Sequence, residues 1–340
     1  MKKPTVALFT GDPAGIGPEI VAKVLEDADV RAAVNLLIIG SRPVLEAGMR
    51  VAGVNTLVSD APAVLPDGDH EPLLVNWEHV GVDVDQFQLG TVTEKSGRFM
   101  LDGLAFGLKL CQDNLADAMC VAPLNKAALR AGGMKHPDEM HYFCEVLNYS
   151  GKCVEFNVND KLWTSRVTSH IPHKDVSSQL TSERIANGIS MLWQGLAASG
   201  FEQPKIAVCG LNPHNGDGGA FGRDEIDVIA PGVKLAAEQG FPADGPFPAD
   251  TTFVRAINKA NGGGYDGVLT MYHDQGQIAM KLMSFGEGIT VHYGLPMPIT
   301  TPAHGTAYDI VQQGIAMPGA MKNAILVAAK MGASARSQRA

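Results

Sequence analysis

The sequence predicts an α/β fold in which parallel β-strands are covered by helices on both faces. Two observations support this prediction: short apolar runs alternate with helix-like stretches along almost the whole chain, and the runs are rich in β-branched or aromatic residues. Such alternation indicates parallel strands joined by crossover helices. With 340 residues, the chain exceeds what one core comfortably supports, so we expect one large domain or two moderate ones.

The strand-like runs are, in chain order, TVALFT, NLLIIG, DAMCVAPL, SRVTSHI, KIAVCGLN and DGVLTMYH. The first three precede the helix-like stretches PEIVAKVLED, SRPVLEAGMRVAG and NKAALRAGG. Pro18 suits the first turn of a helix, and Glu19 suits the positive end of its dipole. Residues 60–90 are acidic and poor in helical signal, which predicts an irregular connection, and the C-terminal SARSQRA predicts a frayed tail.

The composition narrows the class of protein. Hydrophobic residues make up 45% and charged residues 19%, as in a globular enzyme, and the net charge of −9 argues against nucleic acid or an anionic membrane as partner. No apolar run approaches the roughly 20 residues that a membrane helix needs. Five cysteines form no CxxC pair, and the N-terminus leads directly into a strand-like run without a signal peptide. We therefore expect reduced thiols and a cytoplasmic location.

Three histidines follow directly on strand-like runs: His170, His214 and His273. Ligands of open parallel sheets bind beyond the carboxyl ends of the strands, so the three imidazoles are expected at one cleft, where they could hold a divalent cation. Asp274 could orient an imidazole from behind. For any single histidine, the alternative is a hydrogen-bonded structural role.

Other polar motifs also follow strand-like runs. In TGDPAGIGPEI, glycines and a helix N-terminus favour a phosphate or another anion, although the motif is neither a dinucleotide fingerprint nor a P-loop. Lys281, in YHDQGQIAMK, could bind a carboxylate or phosphate or polarise an oxygen; the alternative is a solvated surface lysine. Asn125 and Lys126, in PLNK, are expected at the same sheet edge, and Asp250, in GPFPADTTF, is a carboxylate in an apolar loop or a helix N-cap. The candidate catalytic residues are Lys281, Asp250, Asp274 and Lys126.

Seven segments together resemble the 4-hydroxythreonine-4-phosphate dehydrogenase family: GDPAGIGPEI, PLNK, SHIPHKDV, GLNPHNGDGGAFGRDE, GPFPADTTF, YHDQGQIAMK and HGTAYDI. The resemblance implies a two-domain α/β/α fold similar to isocitrate and isopropylmalate dehydrogenases, with NAD and a divalent cation (zinc, magnesium, manganese or cobalt). It also implies a homodimer whose active site is shared between the subunits. The implied NAD-binding domain comprises residues 1–130 and 275–340, and residues 131–274 form the domain for metal, substrate and dimerisation.

Position by position, the resemblance makes His170, His214 and His273 the metal ligands and Lys281 a substrate-binding lysine. HGTAYDI is similar to a loop that packs on the adenosine of NAD. The candidate cofactor-binding residues are Gly11, Asp12, Gly15, Gly17, His304, Gly305, Thr306 and Asp309. In the family mechanism, the metal lowers the pKa of the substrate hydroxyl while hydride leaves to nicotinamide, and the resulting β-keto acid can lose carbon dioxide.

The chain departs from the family in the substrate pocket. Where the family has Gly-His-Thr-Glu to clasp a phosphate, this chain has DEMHYFCEV, which puts Met140 and His141 there, and a family Asn and Arg align with Thr290 and Ile299. These changes remove charge-assisted contacts to a phosphate dianion. We therefore expect a small acidic substrate without phosphate, as in a divergent branch that includes dihydrodiol dehydrogenases; the substrate-binding candidates are Lys281, His141, Met140, Thr290, Ile299 and Asn125. The alternatives are the vitamin B6 precursor dehydrogenase itself, a metal-dependent lyase without NAD, and a non-catalytic sensor.

Overall fold

The structure is a computed structural model that describes residues 2–258, 263–284 and 286–339. Its strands are β1 (Thr5–Phe9), β2 (Asn35–Ile39), β3 (Ser59–Asp60), β4 (Leu73–Leu74), β5 (Ala118–Val121), β6 (Val154–Val158), β7 (Trp163–Arg166), β8 (Ile206–Cys209), β9 (Asp244–Phe247), β10 (Gly267–Thr270), β11 (Ile289–Tyr293) and β12 (Ile299–Pro302). Its helices are α1 (Gly17–Leu25), α2 (Ala28–Ala33), α3 (Arg42–Ala52), α4 (Glu94–Gln112), α5 (Lys126–Ala131), α6 (Glu139–Val146), α7 (Val176–Gln179), α8 (Ser182–Ala198), α9 (Ala230–Glu238), α10 (Ala249–Ile257), α11 (His273–Ser284) and α12 (Gly319–Arg339).

The chain divides into two compact units: unit 1 comprises Met1–Cys153 and Ile289–Ala340, and unit 2 comprises Val154–Gly288. These limits differ from the predicted domain boundaries after residues 130 and 274. Helix α6 belongs to unit 1 because it packs on α4, where the Tyr142 hydroxyl donates to the Leu101 carbonyl oxygen at 3.0 Å and Phe143 joins the apolar core. Helix α11 belongs to unit 2 because it packs on β7 and β10.

In unit 1 the strands lie in the order β3-β4-β2-β1-β5-β12-β11, and β11 alone among them runs antiparallel to its neighbour. The core strands are continuous apolar runs because helices cover both faces: Val6 to Phe9 and Leu37 to Ile39 are wholly buried. Helix α1 has Pro18 and Glu19 in its first turn, as predicted. The parallel α/β class is therefore confirmed in this unit.

In unit 2 the strands lie in the order β6-β7-β10-β8-β9, in which β7, β10, β8 and β9 are parallel. Its long helix α8 begins at the N-cap Thr181, whose hydroxyl accepts from the Arg184 amide at 3.2 Å. Apolar side chains of α8, among them Ile185, Ile189 and Leu192, are fully buried. The prediction of parallel α/β structure holds here as well.

Three local expectations need correction. The strand expected over SRVTSHI lies earlier in the chain, because β7 ends at Arg166. The next two backbone amides still donate to carbonyl oxygens at the end of β10, Val167 to Thr270 at 2.9 Å and Thr168 to Met271 at 3.1 Å. The connection between residues 60 and 90 is mostly irregular but contains β4, a buried strand of two residues that lies between β3 and β2. The tail is not frayed, because α12 continues to Arg339, which donates to Asn114 Oδ1 at 2.7 Å.

Within the described residues, no helix combines the length and the apolar character needed to cross a membrane.

Candidate active site

The three candidate metal ligands follow three neighbouring parallel strands of unit 2. His170 comes four residues after β7, His273 three residues after β10 and His214 five residues after β8, and the sheet order is β7-β10-β8. All three side chains reach solvent. The structure thus brings them to one sheet edge, where parallel α/β sheets bind their ligands.

Two of these histidines lie in left-handed backbone. His170 has φ of 51° and His214 has φ of 52°, and a left-handed run continues from His214 through Asn215, Gly216, Asp217 and Gly218. Left-handed backbone costs a non-glycine residue roughly 1–2 kcal/mol. Because such strain persists only where the surrounding structure enforces it, and clusters at functional sites, it indicates a functional role for this loop.

A buried carboxylate holds the loop that carries His214. Glu225 is 2% exposed, and its Oε1 accepts from the backbone amides of Leu211 at 2.7 Å and Asn212 at 2.6 Å. Its Oε2 accepts from Asn212 Nδ2 at 3.0 Å. Gln275 links this loop to the next, because it accepts from the Met271 amide at 2.7 Å and donates to the Gly210 carbonyl at 2.8 Å.

The imidazoles are close but do not form a closed ligand set. The rings of His170 and His273 have centroids 5.7 Å apart, and His273 Nδ1 lies 2.7 Å from Asp274 Oδ1, which leaves Nε2 as the available ligand atom. This is the orienting role predicted for Asp274. The potential ligand atoms of the three histidines do not all lie within 4.8 Å of one another, so binding of one ion requires the side chains to move together. One group within the described residues does meet that distance, Glu78, His79 and Asp102, in unit 1.

The other candidate catalytic residues of unit 2 are on its surface. Lys281 is exposed on α11 and makes no ion pair with any residue of the described ranges. Asp250 is exposed in the first turn of α10, where a carboxylate is favoured by the helix dipole. The N-cap of α10 is Pro248, so the capping alternative for Asp250 is wrong.

In unit 1 the GDPAGIG turn and the HGTAYDI loop are in direct contact. The Ile16 amide donates to the Thr306 carbonyl at 3.1 Å, and the Tyr308 hydroxyl donates to Asp12 Oδ2 at 2.5 Å. A Cβ on Gly15 would lie 2.8 Å from Thr306 Cβ, so only glycine permits this approach. Asn125 joins the cluster: its Oδ1 accepts from the Ala128 amide as the N-cap of α5, and its Nδ2 donates to Thr306 Oγ1 at 3.4 Å.

This arrangement corrects the expected anion cradle. The amides of Ala14, Gly15 and Ile16 donate to Asp12 Oδ1, Asp12 carbonyl and Thr306 carbonyl oxygens, respectively, and are not available to a phosphate. The candidate cofactor-binding residues of this region that are buried are Gly11, Asp12, Gly15, Gly17 and Thr306. They therefore stabilise the contact between the GDPAGIG turn and the HGTAYDI loop. His304, Gly305 and Asp309 do reach solvent. Burial raises the pKa of Asp12, against the opposing hydrogen bonds from Tyr308 and the Ala14 amide.

The N-terminus of α6 is occupied by carboxylates of the chain itself. Asp138 is the N-cap, and its Oδ1 accepts from the His141 amide at 3.0 Å and lies 2.6 Å from His141 Nδ1. Lys126 Nζ lies 3.7 Å from Glu139 in the first turn, and His136 contacts Glu145. The candidate Met140 is half-buried in the same helix.

Thr290 and Ile299 lie in β11 and β12 and are buried, at 7% and 0% exposure. Ile299 packs in the apolar core of unit 1, so its side chain reaches no surface at which a substrate could bind. Its predicted place in the substrate pocket is therefore wrong. Two further residues of the site, Glu225 and Tyr308, were not predicted from the sequence. Both lie inside the quoted motifs GRDE and HGTAYDI, but only the fold shows which groups they contact.

The comparisons with known proteins identify the family and the fold. The family described as "Pyridoxal phosphate biosynthetic protein PdxA" matches residues 32–328. A Pseudomonas aeruginosa protein with the provisional name 4-hydroxythreonine-4-phosphate dehydrogenase 2 is 47% identical over 97% of each chain. A solved 4-hydroxythreonine-4-phosphate dehydrogenase from Klebsiella pneumoniae is 30% identical, with a TM-score of 0.81 and coverage of 97% of this chain and 98% of that one. A terephthalate 1,2-cis-dihydrodiol dehydrogenase from Burkholderia xenovorans, 24% identical with a TM-score of 0.66 over 96% and 98% of the two chains, shares the fold.

The fold and these relatives define an enzyme of the dehydrogenase class that acts on a CH–OH group. The chain belongs to the PdxA family.

Proposed function

We propose that this enzyme is an NAD- and divalent-metal-dependent dehydrogenase that oxidises a secondary alcohol of a small hydroxy acid or diol acid without a phosphate group. The observation that carries the substrate class is the N-terminus of α6. A helix N-terminus binds anions through its free amides and its dipole. Here the Asp138 carboxylate occupies that position, Glu139 stands in the first turn, and Lys126, His136 and His141 each contact a carboxylate. A phosphate dianion would meet negative charge.

His170, His214 and His273 are the proposed metal ligands, with Asp274 fixing the orientation of His273. When bound, a divalent cation supplies positive charge that lowers the pKa of a substrate hydroxyl. Lys281, exposed and without an ion-pair partner in the described residues, is the proposed donor to the substrate oxygen on which negative charge develops. His304, Gly305 and Asp309, which reach solvent, would hold NAD, and NAD when bound would supply the hydride acceptor. Decarboxylation of a β-keto product is a further proposed step.

We also propose a homodimer with a shared site. Helix α11 exposes Ile278 at 62% and Leu282 at 69% on the same helix as Lys281. Large apolar side chains exposed together indicate a protein contact, and a second copy is the occupant implied by the family resemblance. Light scattering coupled to size exclusion tests this proposal: a Leu282→Glu variant is expected to elute as a monomer, with an Arg223→Glu surface variant as control.

The deciding experiment for the substrate class is a comparison of NAD reduction, with added Mn²⁺ or Zn²⁺, between hydroxy acids or cis-diol acids and their phosphorylated counterparts. We expect turnover on unphosphorylated acids, and carbon dioxide release measured beside it tests decarboxylation. The relatives' names favour a second candidate, 4-hydroxythreonine-4-phosphate dehydrogenase; turnover on that phosphate alone would establish it and refute our proposal.

A charge variant sharpens the comparison. Asp138→Asn removes the negative charge but keeps an acceptor for the His141 amide. We expect it to lower KM for phosphorylated compounds while leaving KM for unphosphorylated acids unchanged. Calorimetric titration with NAD addresses the lyase alternative, since a lyase without NAD would show no binding at millimolar concentration.

A further inference from the structure

The cysteines of this chain fall into two groups. Cys111, Cys120 and Cys209 are at most 3% exposed, and burial raises the pKa of each thiol to about 12. Thiols of this kind are inert, because burial keeps reagents away from them. Cys144 and Cys153 are half-buried and lie together in unit 1.

The two half-buried thiols are in contact. Cys144 Sγ and Cys153 Sγ are 3.8 Å apart, although the residues are nine positions apart in the sequence. The end of α6 brings them together: Asn148 is left-handed with φ of 48°, and the Tyr149 amide donates back to the Cys144 carbonyl at 2.8 Å. This closed turn reverses the chain after α6, as a left-handed C-terminal residue commonly does.

We propose that Cys144 and Cys153 form a reversible disulfide bond and make up a redox modification site of this enzyme. The oxidant is a small-molecule disulfide such as oxidised glutathione. The Cys144 thiolate attacks one of its sulfurs, forming a mixed disulfide and releasing one glutathione thiolate. Cys153 then attacks the Cys144 sulfur, releasing the second glutathione. Two protein thiols are oxidised by two electrons, one glutathione disulfide is reduced, and the two protons pass to the released thiolates.

The surroundings of Cys153 set the pH dependence. Burial and the adjacent Cys144 thiol raise the pKa of Cys153 to about 12. Because the closing step needs the Cys153 thiolate, the rate of disulfide formation is expected to rise with pH throughout the neutral and mildly alkaline range. The proposed bond would join α6, which contains Cys144 and the substrate-binding candidates Met140 and His141, to Cys153, the last residue of unit 1 before the chain enters unit 2.

The test uses the full-length protein incubated with oxidised glutathione and then denatured under acid-quenched conditions. We expect the thiol titre to fall from five to three (5 − 2) and the mass to fall by two hydrogen atoms. Peptide mapping should find residues 144 and 153 in one disulfide-linked fragment, and dithiothreitol should restore five thiols. Hydrogen exchange of the amides from Glu145 to Tyr149 should slow in the oxidised protein.

The control variants separate this bond from other thiol chemistry. Cys153→Ser should retain one stable glutathione adduct on Cys144, and Cys144→Ser should form no internal disulfide, whereas Cys209→Ser should still form it. A wild-type protein that carries glutathione adducts without the internal bond, or that keeps all five thiols, would overturn the proposal. Mass and thiol titre of the wild type decide the result even if a variant does not fold.

Discussion

At the residue scale, His214 offers the most direct test of the proposed metal site. His214→Ala is expected to abolish metal-dependent activity and to weaken metal binding at least about tenfold, while the melting temperature of the metal-free protein changes little because the side chain is exposed. Calorimetric titration of the chelator-treated protein with Zn²⁺ or Mn²⁺ measures the change. His173→Ala is the matched control, since His173 is an exposed histidine of the same unit outside the proposed set. Full activity of His214→Ala after chelation would refute the ligand assignment.

Tyr308 tests the contact between the two loops of unit 1. Tyr308→Phe removes the hydroxyl that donates to Asp12, and the loss of a hydrogen bond to a buried carboxylate is expected to cost about 1–3 kcal/mol of unfolding free energy at neutral pH. The pKa of Asp12 is already raised by burial, so the folded state binds its proton more tightly than the unfolded chain. Asp12 therefore stabilises the folded state fully below its ordinary pKa of 3.8, and this stabilisation is lost as the pH rises through the pKa that Asp12 has in the folded state.

In Tyr308→Phe that folded pKa rises further, so the loss of stability extends to higher pH. Urea unfolding of wild type, Tyr308→Phe, Asp12→Asn and the double variant from pH 4 to 8 measures both effects. A pH profile of Tyr308→Phe that parallels the wild type would show that the pair is not coupled.

Lys281 is predicted to act on the reacting substrate rather than on the fold. Lys281→Ala is expected to lower kcat more than it changes KM, because a donor to developing charge stabilises the transition state selectively. Lys281→Arg keeps the charge and should recover part of the rate. Steady-state kinetics distinguish this result from a rise in KM alone, which would indicate simple ground-state binding.

At the scale of elements, the left-handed loop after β8 depends on Glu225. Glu225→Gln leaves one acceptor but replaces the second carboxylate oxygen with a donor that faces Asn212 Nδ2. We expect a loss of about 2 kcal/mol in unfolding free energy and a roughly tenfold weaker metal affinity, because the loop positions His214. The control is Asp227→Asn, an exposed partner of Arg223. Equal metal affinity in both variants would show that the loop does not need this carboxylate.

The elements also show what sequence patterns can and cannot predict. Strands β1, β2, β5, β8 and β10 were predictable because buried parallel strands are continuous apolar runs. Strand β4 was not predictable, because a strand of two residues is too short to show a hydrophobic pattern. The strand-end position of the three histidines followed from local order in the sequence. The contacts of Glu225 with Leu211 and of Tyr308 with Asp12 join residues 14 and 296 positions apart, and no local pattern encodes them.

At the scale of the whole molecule, the division into units predicts independent folding of unit 2. Residues 154–288 are one continuous segment of 135 residues (288 − 154 + 1) that contains five adjacent strands and the helix α8, whose apolar side chains are buried. Expressed alone, this segment is expected to unfold cooperatively in urea and to retain metal binding. Circular dichroism and calorimetric titration check both points. A molten segment without a cooperative transition would contradict the prediction.

The pairing of β12 with β5 leaves one edge of β5 unpaired during much of translation. Val121 ends β5, but its neighbour β12 begins at Ile299, 178 residues later (299 − 121). At about 5–20 residues per second, this edge of β5 has no partner strand for roughly 9–36 s of translation. Unit 2 is synthesised completely within that interval. Unpaired apolar strand edges recruit other chains, so the nascent chain presents a natural substrate for chaperones at β5 until its C-terminal segment arrives.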